Sequence, residues 1–367
     1  MTKNDYKDLS DNELKELYKI TKESIGVLKS RQQALKIVLN SGYGAFATPY
    51  FTYYDIENAE AITLTGQYII QYIERHCNEM LNNFFSTRDV EYCIYCDTDS
   101  VYINLNQLVL NQKSSLTVEE RVNLLDDFCK KEMTPYIDSL CERVVSELNG
   151  IPNIISMARD VIAPSGIWMS KKRYILDVWD SEGVRYHEPQ IKMMGVEAIK
   201  SSTPTIARTK LKEAIKIALR GTETEMRKFI RDLKSEYANL RIEDIAFPKS
   251  ANNLNDFQLG RSWKKGTPIH VKGALLFNRL IEERNLSHKY QRISSGEKVK
   301  YTYLKMPNPI HEPVISFVGE LPSEFELRPY VDFKTQFEKG FLSPLNSILE
   351  NIGWSEQEQI SIEDLLY

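Results

Sequence analysis

The segment Tyr95-Cys-Asp97-Thr-Asp99-Ser100 places two aspartates between two short runs in which apolar residues alternate with more polar ones. Such alternation is typical of β-strands, so the sequence predicts a β-hairpin with both aspartates at its tip. Because strand side chains two residues apart share a face, Asp97 and Asp99 are expected to point into one small volume. Carboxylates at this spacing suit Mg²⁺, which keeps several waters and often holds substrate phosphates. A solvated, Asp-rich turn is the plainer alternative.

A second motif lies upstream, in Lys36-Ile-Val-Leu-Asn40-Ser-Gly-Tyr43-Gly44, at the end of a long predicted helix. On a helix, Lys36, Asn40 and Tyr43 fall at positions i, i+4 and i+7 and therefore form one stripe. A cation, an amide and an aromatic ring in a row can bind a triphosphate, a sugar or base edge, and a base or sugar face. The alternative is an ordinary exposed lysine on a helix that ends at Gly44.

With these motifs in this order, the chain resembles the C-terminal part of a family B DNA polymerase of the T-even-type bacteriophage group. The upstream motif matches the fingers helix of that family, and the aspartate motif matches its metal-binding palm segment. A third element, Lys171-Lys172-Arg173-Tyr174, is similar to the basic and aromatic segment that binds the primer terminus. Further similar segments are Tyr53–Thr63, Lys200–Pro204 and Ser250–Asn253.

The resemblance implies a DNA-directed DNA polymerase that adds dNTPs to a primer 3′-OH by two-metal phosphoryl transfer. Two Mg²⁺ ions would lie between Asp97, Asp99 and a carboxylate from a partner chain, with Asp97 as the firmer ligand. Lys36 would neutralise phosphate charge during catalysis. Asn40 and Tyr43 would line the nascent base pair.

The same resemblance implies that Lys171, Lys172, Arg173 and Tyr174 bind primer-template DNA. Asp160 lies where relatives hold a nearby carboxylate, which makes it a further candidate metal ligand. Two residues earlier the sequence has alanine where the phage pattern has an acid, and this weakens the case for Asp160.

One expected part of the polymerase site is missing from the sequence. Family B polymerases need a further palm carboxylate from an Asp-x-x-Ser-Leu-Tyr-Pro-type segment before the fingers. The nearest string, Asp138-Ser-Leu-Cys141, has a different spacing and follows the palm motif. The carboxylates of the family's 3′–5′ exonuclease are absent too. We therefore expect the C-terminal subunit of a split polymerase, inactive without an N-terminal subunit that supplies the carboxylate and the exonuclease.

Two alternatives stay open. The sequence is also compatible with a piece of a longer, unsplit polymerase chain. A different class of function is a catalytically silent DNA-binding or scaffold remnant that keeps its acids for folding alone. Retention of both aspartates together with Lys36 and the basic pair at Lys171 and Lys172 argues against that loss of activity.

The predicted fold class is α+β, with a palm built from an antiparallel sheet and helices, a partial fingers helix and a mostly helical thumb. A capping box at Ser10 and Glu13 is expected to start the fingers helix. The predicted domains are the fingers limb (1–44), the palm (45–190, with 331–358 packing back on it), the thumb (191–330) and a clamp-binding tail (359–367). A thumb helix is predicted near Ile269–Glu283.

The tail ends on apolar residues, which is unusual for a chain terminus. The resemblance implies that Ile362, Leu365, Leu366 and Tyr367 form a hydrophobic plug for a ring-shaped sliding clamp. Docking of the same residues on this protein's own palm or thumb is the alternative.

Composition agrees with this interpretation without deciding it. The net charge of −4 among 367 residues does not oppose DNA binding, because polymerases confine positive charge to a DNA track. The five cysteines are scattered and odd in number, which favours a reducing cytoplasm, that of the host cell for a phage protein. Cys93 and Cys96 have no second pair, so a zinc or redox site is disfavoured. The sequence has no signal peptide or transmembrane run, and no membrane partner is expected.

Overall fold

The structure, a computed structural model, describes residues 9–112, 115–152, 154–260 and 262–356. The helices are α1 (Asp11–Phe46), α2 (Ile56–Phe85), α3 (Asn106–Leu110), α4 (Val118–Phe128), α5 (Thr134–Glu147), α6 (Thr205–Arg220), α7 (Glu223–Tyr237), α8 (Ile242–Ile245), α9 (Leu254–Phe257), α10 (Ile269–Glu283), α11 (Phe333–Phe337) and α12 (Ser343–Leu349). The strands are β1 (Cys93–Asp97), β2 (Ser100–Ile103), β3 (Val161–Ile162), β4 (Gly166–Ser170), β5 (Arg173–Ser181), β6 (Val184–Met194), β7 (Phe247–Ala251), β8 (Gln258–Leu259), β9 (Ser262–Trp263), β10 (Glu297–Tyr303) and β11 (Val314–Phe317).

The described residues combine helices with antiparallel sheets, so the predicted α+β class is confirmed. The chain divides into two compact units. The first unit contains residues 1–111 and 131–157, and the second contains 112–130 and 158–367. In the described part of the chain, no helix combines the length and apolar character needed to cross a membrane.

The first unit begins with α1, which spans 36 residues and starts with the predicted capping box between Ser10 and Glu13. None of the described residues of α1 is buried. By contrast, α2 buries a stripe of apolar residues and packs against α5. The Tyr72 hydroxyl on α2 donates a hydrogen bond to Glu147 Oε1 on α5, at 3.1 Å. The core of this unit therefore lies between α2, α5 and the hairpin β1–β2.

In the second unit, β5 is the centre of a four-stranded antiparallel sheet and pairs with β3, β4 and β6. A second sheet has the order β11-β10-β7 and packs one face against α10. The apolar core joins both sheets to α6, α7 and α10. The segment predicted as a mostly helical thumb thus also contains a three-stranded sheet. The predicted domain boundaries stay predictions.

Near the start of the second unit, the carboxylate of Asp126 on α4 is held by cations from three segments. Lys130 Nζ lies 2.7 Å from Asp126 Oδ2, and Arg159 Nη2 lies 3.2 Å from Oδ1. Arg159 also contacts Asp180 on β5 at 2.6 Å, and Arg185 on β6 lies 3.6 Å from Asp126. Because Asp126 and Asp180 are both buried, this network fixes α4 against the sheet through groups that would be costly to leave unpaired.

Candidate functional site

The hairpin β1–β2 carries the two predicted metal ligands at a tight reversal. Asp97 is the last residue of β1 and pairs with Ser100, so only Thr98 and Asp99 form the loop. Thr98 has a positive φ of 59°, and the Asp99 N–H donates to the Asp97 carbonyl oxygen at 2.7 Å. Asp97 is half-buried in the strand, whereas Asp99 is exposed in the loop. The relative placement of the two carboxylates is therefore set by the turn, and not by the face alternation of one continuous strand.

The donor atoms at this tip fit part of a magnesium site. The carboxylates of Asp97 and Asp99 are hard oxygen ligands, which Mg²⁺ prefers. The Thr98 hydroxyl donates to Asp97 Oδ1 at 3.0 Å, and the Ser100 hydroxyl donates to the Asp97 carbonyl at 3.1 Å. Among the described residues, no group of three or more acidic, histidine or cysteine side chains could hold a metal ion. The hairpin thus offers two carboxylates that would need a third from elsewhere.

The base of the hairpin is fixed to α2. Asn78 Oδ1 accepts hydrogen bonds from the backbone N–H groups of Tyr92 and Cys93, at 2.8 and 2.9 Å. Tyr92 is buried, and its hydroxyl lies 2.9 Å from that of Thr87. One amide oxygen on a long helix therefore sets the position of the strand that ends at Asp97. This residue was missed in the sequence, because the contact joins residues 14 and 15 positions apart.

The two cysteines of strand β1, Cys93 and Cys96, are protonated thiols. Burial, followed by the nearby Glu74 carboxylate, raises the pKa of Cys96 to about 12. A hydrogen bond with Cys77, together with burial, raises the pKa of Cys93. Metal ligation and nucleophilic attack both require the thiolate. In this protonated state Cys93 and Cys96 are poor nucleophiles, and the expectation that they form no zinc or redox site stays a prediction.

The predicted nucleotide-binding stripe lies on α1, in the same unit as the hairpin. Lys36, Asn40 and Tyr43 are all exposed on one continuous helix, at the spacing that aligns them along one side. The helix continues through Gly44 to Phe46, so the glycine is not its end. The stripe can therefore present a cation, an amide and a phenol ring to a ligand.

The predicted primer-binding element forms the hairpin between β4 and β5. Lys171 and Lys172 make its two-residue turn, and Lys172 has a positive φ of 61°. Both lysines are exposed, whereas Tyr174 is only 4% exposed and lies within the sheet. Arg173 Nη2 donates to Glu197 Oε2 at 2.9 Å. The exposed charge of this element thus comes from its two lysines, and Arg173 is held within the fold.

Two further predicted sites have different outcomes. The Asp160 carboxylate accepts a hydrogen bond from Lys192 Nζ at 2.7 Å and is more than half exposed, so it is paired with a cation in the second unit. The predicted clamp-binding residues, Ile362, Leu365, Leu366 and Tyr367, lie outside the described residues. All of these site assignments stay predictions.

Comparison with known proteins agrees with the motifs. Residues 12–125, which include the α1 stripe and the hairpin, match the family described as DNA polymerase family B. The chain is 30% identical to the DNA-directed DNA polymerase of Enterobacteria phage T4 over 99% of its own length, and 31% identical to that of Escherichia phage RB69 over 98%. It is 23% identical to DNA polymerase 1 of Aeropyrum pernix over 68% of its length. The chain spans 41% of the T4 protein and 42% of the RB69 protein.

Proposed function

Because this chain belongs to DNA polymerase family B, we propose that it forms the fingers, palm and thumb part of a replicative DNA-directed DNA polymerase. Its reaction is the addition of a dNTP to the primer 3′-OH of primer-template DNA. The observation that carries the proposal is the ordered pair of motifs in the first unit. The stripe of Lys36, Asn40 and Tyr43 precedes the tip of Asp97 and Asp99, and both lie in the residues that match the family.

In this proposal, Asp97 and Asp99 hold two Mg²⁺ ions together with one further carboxylate. When bound, the ions supply charge stabilisation for the attacking and leaving oxygens of an in-line phosphoryl transfer. Lys36 contacts the triphosphate and compensates its negative charge. Asn40 and Tyr43 bind the base and sugar of the incoming nucleotide, and so orient it toward the primer end.

The further carboxylate is proposed to come from a polypeptide segment that precedes the fingers in polymerases of this family. Support comes from the sequence, which lacks an Asp-x-x-Ser-Leu-Tyr-Pro-type segment and the exonuclease carboxylates. Whether this N-terminal segment is a separate subunit or the earlier part of one long chain, the chemistry that it supplies is the same. Without it, the site has two ligands and is expected to be inactive.

The surface of α1 supports the presence of such a segment. A helix normally owes most of its stability to packing of an apolar face, yet no described residue of α1 is buried. Nine large apolar or aromatic side chains of α1 outside the nucleotide stripe are at least 47% exposed: Tyr18, Ile20, Ile25, Val27, Leu28, Leu35, Ile37, Val38 and Leu39. An apolar surface of this kind marks a protein contact. We assign it to the N-terminal polymerase segment.

The remaining partners follow from the second unit and the tail. Lys171 and Lys172 are proposed to contact the primer-template near the primer end. Ile362, Leu365, Leu366 and Tyr367 are proposed to bind a sliding clamp, on the basis of sequence alone. The five cysteines are free thiols, and we place the protein in a reducing cytoplasm.

The decisive experiment is primer extension by the purified chain, with and without the N-terminal polypeptide that carries the missing carboxylate. We expect extension only in the mixture. A matched mixture that contains Asp97→Asn controls for a contaminating polymerase and should be inactive. Robust extension by the chain alone would contradict the need for a partner. DNA binding by the mixture with no extension under any divalent cation would instead identify a catalytically silent remnant.

A further inference from the structure

A short 3₁₀ turn connects the sheet of the second unit to its first long helix. This turn, Glu197–Ile199, follows β6 and packs against α6. Val196 and Ala198 on either side of Glu197 are buried, with 0% and 1% of their surface exposed. Because both neighbours are fixed in the core, the backbone at Glu197 has little freedom, and its side chain leaves the turn in a set direction.

The Glu197 carboxylate joins two cations from different parts of the sequence. Its Oε2 accepts a hydrogen bond from Arg173 Nη2 at 2.9 Å, and its Oε1 accepts one from Lys200 Nζ at 3.0 Å. Burial alone would favour the protonated acid. The hydrogen bond from Lys200, a backbone hydrogen bond and the charges of Arg173 and Lys200 outweigh burial and hold the pKa of Glu197 below its usual range. The carboxylate is therefore ionised at neutral pH.

A backbone contact supports the same junction. Gly195 lies directly after β6, at the point where Tyr174 on β5 pairs with Met194. It has a φ of +66°, and a Cβ at this position would lie 2.3 Å from the Lys172 carbonyl oxygen. Such a distance excludes any side chain without movement of the hairpin backbone. The strand end thus lies directly against the turn that presents Lys171 and Lys172.

We propose that Glu197 is a positioning residue for primer binding, an inference that rests on the proposed polymerase function. Its carboxylate holds Arg173 at the base of the β4–β5 hairpin, so that the turn presents Lys171 and Lys172 to DNA. Through Lys200, the same carboxylate connects this hairpin to the segment that leads into α6. Arg173 then acts as an internal contact of the hairpin, and not as a ligand of the DNA phosphates.

Loss of the Glu197 charge should affect general duplex affinity and recognition of the primer end in different directions. Loss of the Glu197 charge leaves Arg173 and Lys200 uncompensated, so the surface becomes more positive. Affinity for any duplex should then stay the same or rise, because non-specific binding follows positive charge. Recognition of the recessed primer end should fall, because the hairpin loses the contact that orients it. A role in charge alone would move both affinities in the same direction.

The test uses the full chain with Glu197→Gln and measures Kd by fluorescence anisotropy for a primer-template and for a blunt duplex of equal length, over a series of KCl concentrations. We expect the preference for the primer-template to fall about tenfold, since a charge-assisted hydrogen bond is lost, while blunt-duplex affinity does not fall. Glu213→Gln on α6 removes a carboxylate from the ion pair with Lys210 and is the matched control. That control should leave the preference unchanged.

A double-mutant cycle tests whether Glu197 acts through Arg173. If it does, Arg173→Gln should reduce the preference by itself, and adding Glu197→Gln should reduce it little further. Thermal unfolding of each variant shows whether a lost preference reflects a misplaced hairpin or a chain that no longer folds. A variant whose unfolding temperature and preference for the primer-template are both unchanged would overturn the proposal. Additive effects of the two substitutions would overturn it as well. Failure of the proposed polymerase function would show in the unaltered chain, which would then bind the primer-template no more tightly than the blunt duplex.

Discussion

The backbone N–H of Asp99 donates to the carbonyl oxygen of Asp97 at 2.7 Å, across the single residue Thr98. This contact turns the chain immediately after Asp97, so the first aspartate belongs to a strand and the second to a loop. The strand is in turn fixed to α2 through Asn78. Of the two carboxylates, Asp97 is therefore the one whose position is determined by packed structure, and this agrees with its proposed role as the firmer metal ligand.

Asp97→Asn should reduce primer extension by the reconstituted enzyme about a thousandfold or more. Loss of a metal ligand removes several kcal/mol of transition-state stabilisation, and about 1.4 kcal/mol corresponds to a factor of ten in rate. DNA affinity should change little, because the hairpin tip carries no cation for DNA. Single-turnover incorporation measures the loss of primer extension, with Asp138→Asn, at an exposed position on α5, as the control. Near-normal turnover in Asp97→Asn would show that the carboxylate is structural only.

Lys172→Gln should weaken primer-template binding and flatten its dependence on salt. Each phosphate contact that is lost removes about one unit from the slope of log affinity against log salt concentration. If Lys172 instead contacts a base edge in the minor groove, affinity should fall with the slope unchanged. The measurement is Kd at several KCl concentrations, with Lys334→Gln as a control because that lysine is 79% exposed on α11. Unaltered affinity would argue against any DNA contact.

Substitution of exposed apolar residues on α1 should weaken association with the N-terminal segment and leave the chain itself stable. Leu35 and Leu39 are 64% and 77% exposed, so their replacement by serine removes little packing within the chain. At an interface, loss of a buried leucine commonly costs more than about 1 kcal/mol, which is several-fold in Kd. Binding of the two polypeptides by calorimetry would measure this. Leu110→Ser, at 66% exposure on α3, is the matched control and should bind normally.

Asp126→Asn should lower the free energy of unfolding by about 1–3 kcal/mol, because it removes one of the two carboxylates that pair with buried Arg159, while Asp180 remains. The pH dependence has a defined sign. Burial favours the protonated acid, but Lys130, Arg159 and Arg185 outweigh it and lower the pKa of Asp126 in the folded protein. The stabilisation that ionised Asp126 gives to the folded protein is fully present above the unfolded pKa of about 4. It is lost as the pH falls through the lower pKa of the folded state.

Thermal unfolding from pH 7 to pH 3 measures this effect. The unaltered chain should lose stability more steeply than Asp126→Asn below about pH 4, so the two curves converge in acid. A constant difference between the curves over the whole range would show that the ion network does not titrate as described.

Local patterns predicted those elements whose cause is local. The capping box at Ser10 and Glu13 gave the start of α1, because neighbouring residues decide it, and α10 lies where a thumb helix was expected, at Ile269–Glu283. Strand alternation predicted the hairpin β1–β2, but not the turn that separates Asp97 from Asp99. That turn depends on the positive φ of Thr98, a backbone conformation that residues other than glycine rarely adopt.

Contacts between segments far apart in the chain have no local sequence pattern that predicts them. The pairing of β7 with β10 joins Phe247 to Tyr301, and no periodicity within either strand specifies its partner. Glu197 meets Arg173 from 24 residues away, and its only local signal is the lysine three residues later. A carboxylate near a lysine is common on any protein surface, so the residue became visible only once β5, β6 and the following turn were placed.

The exposure of α1 has a consequence for the cell that makes this protein. A helix without a packed face keeps its structure only to the extent that something binds it, so its folded fraction follows the concentration of the partner by mass action. An excess of the chain over that partner would present a long apolar surface to proteases and to other copies of itself. For an N-terminal segment made as a separate polypeptide, the proposed polymerase would then need balanced production of the two chains to avoid this exposure.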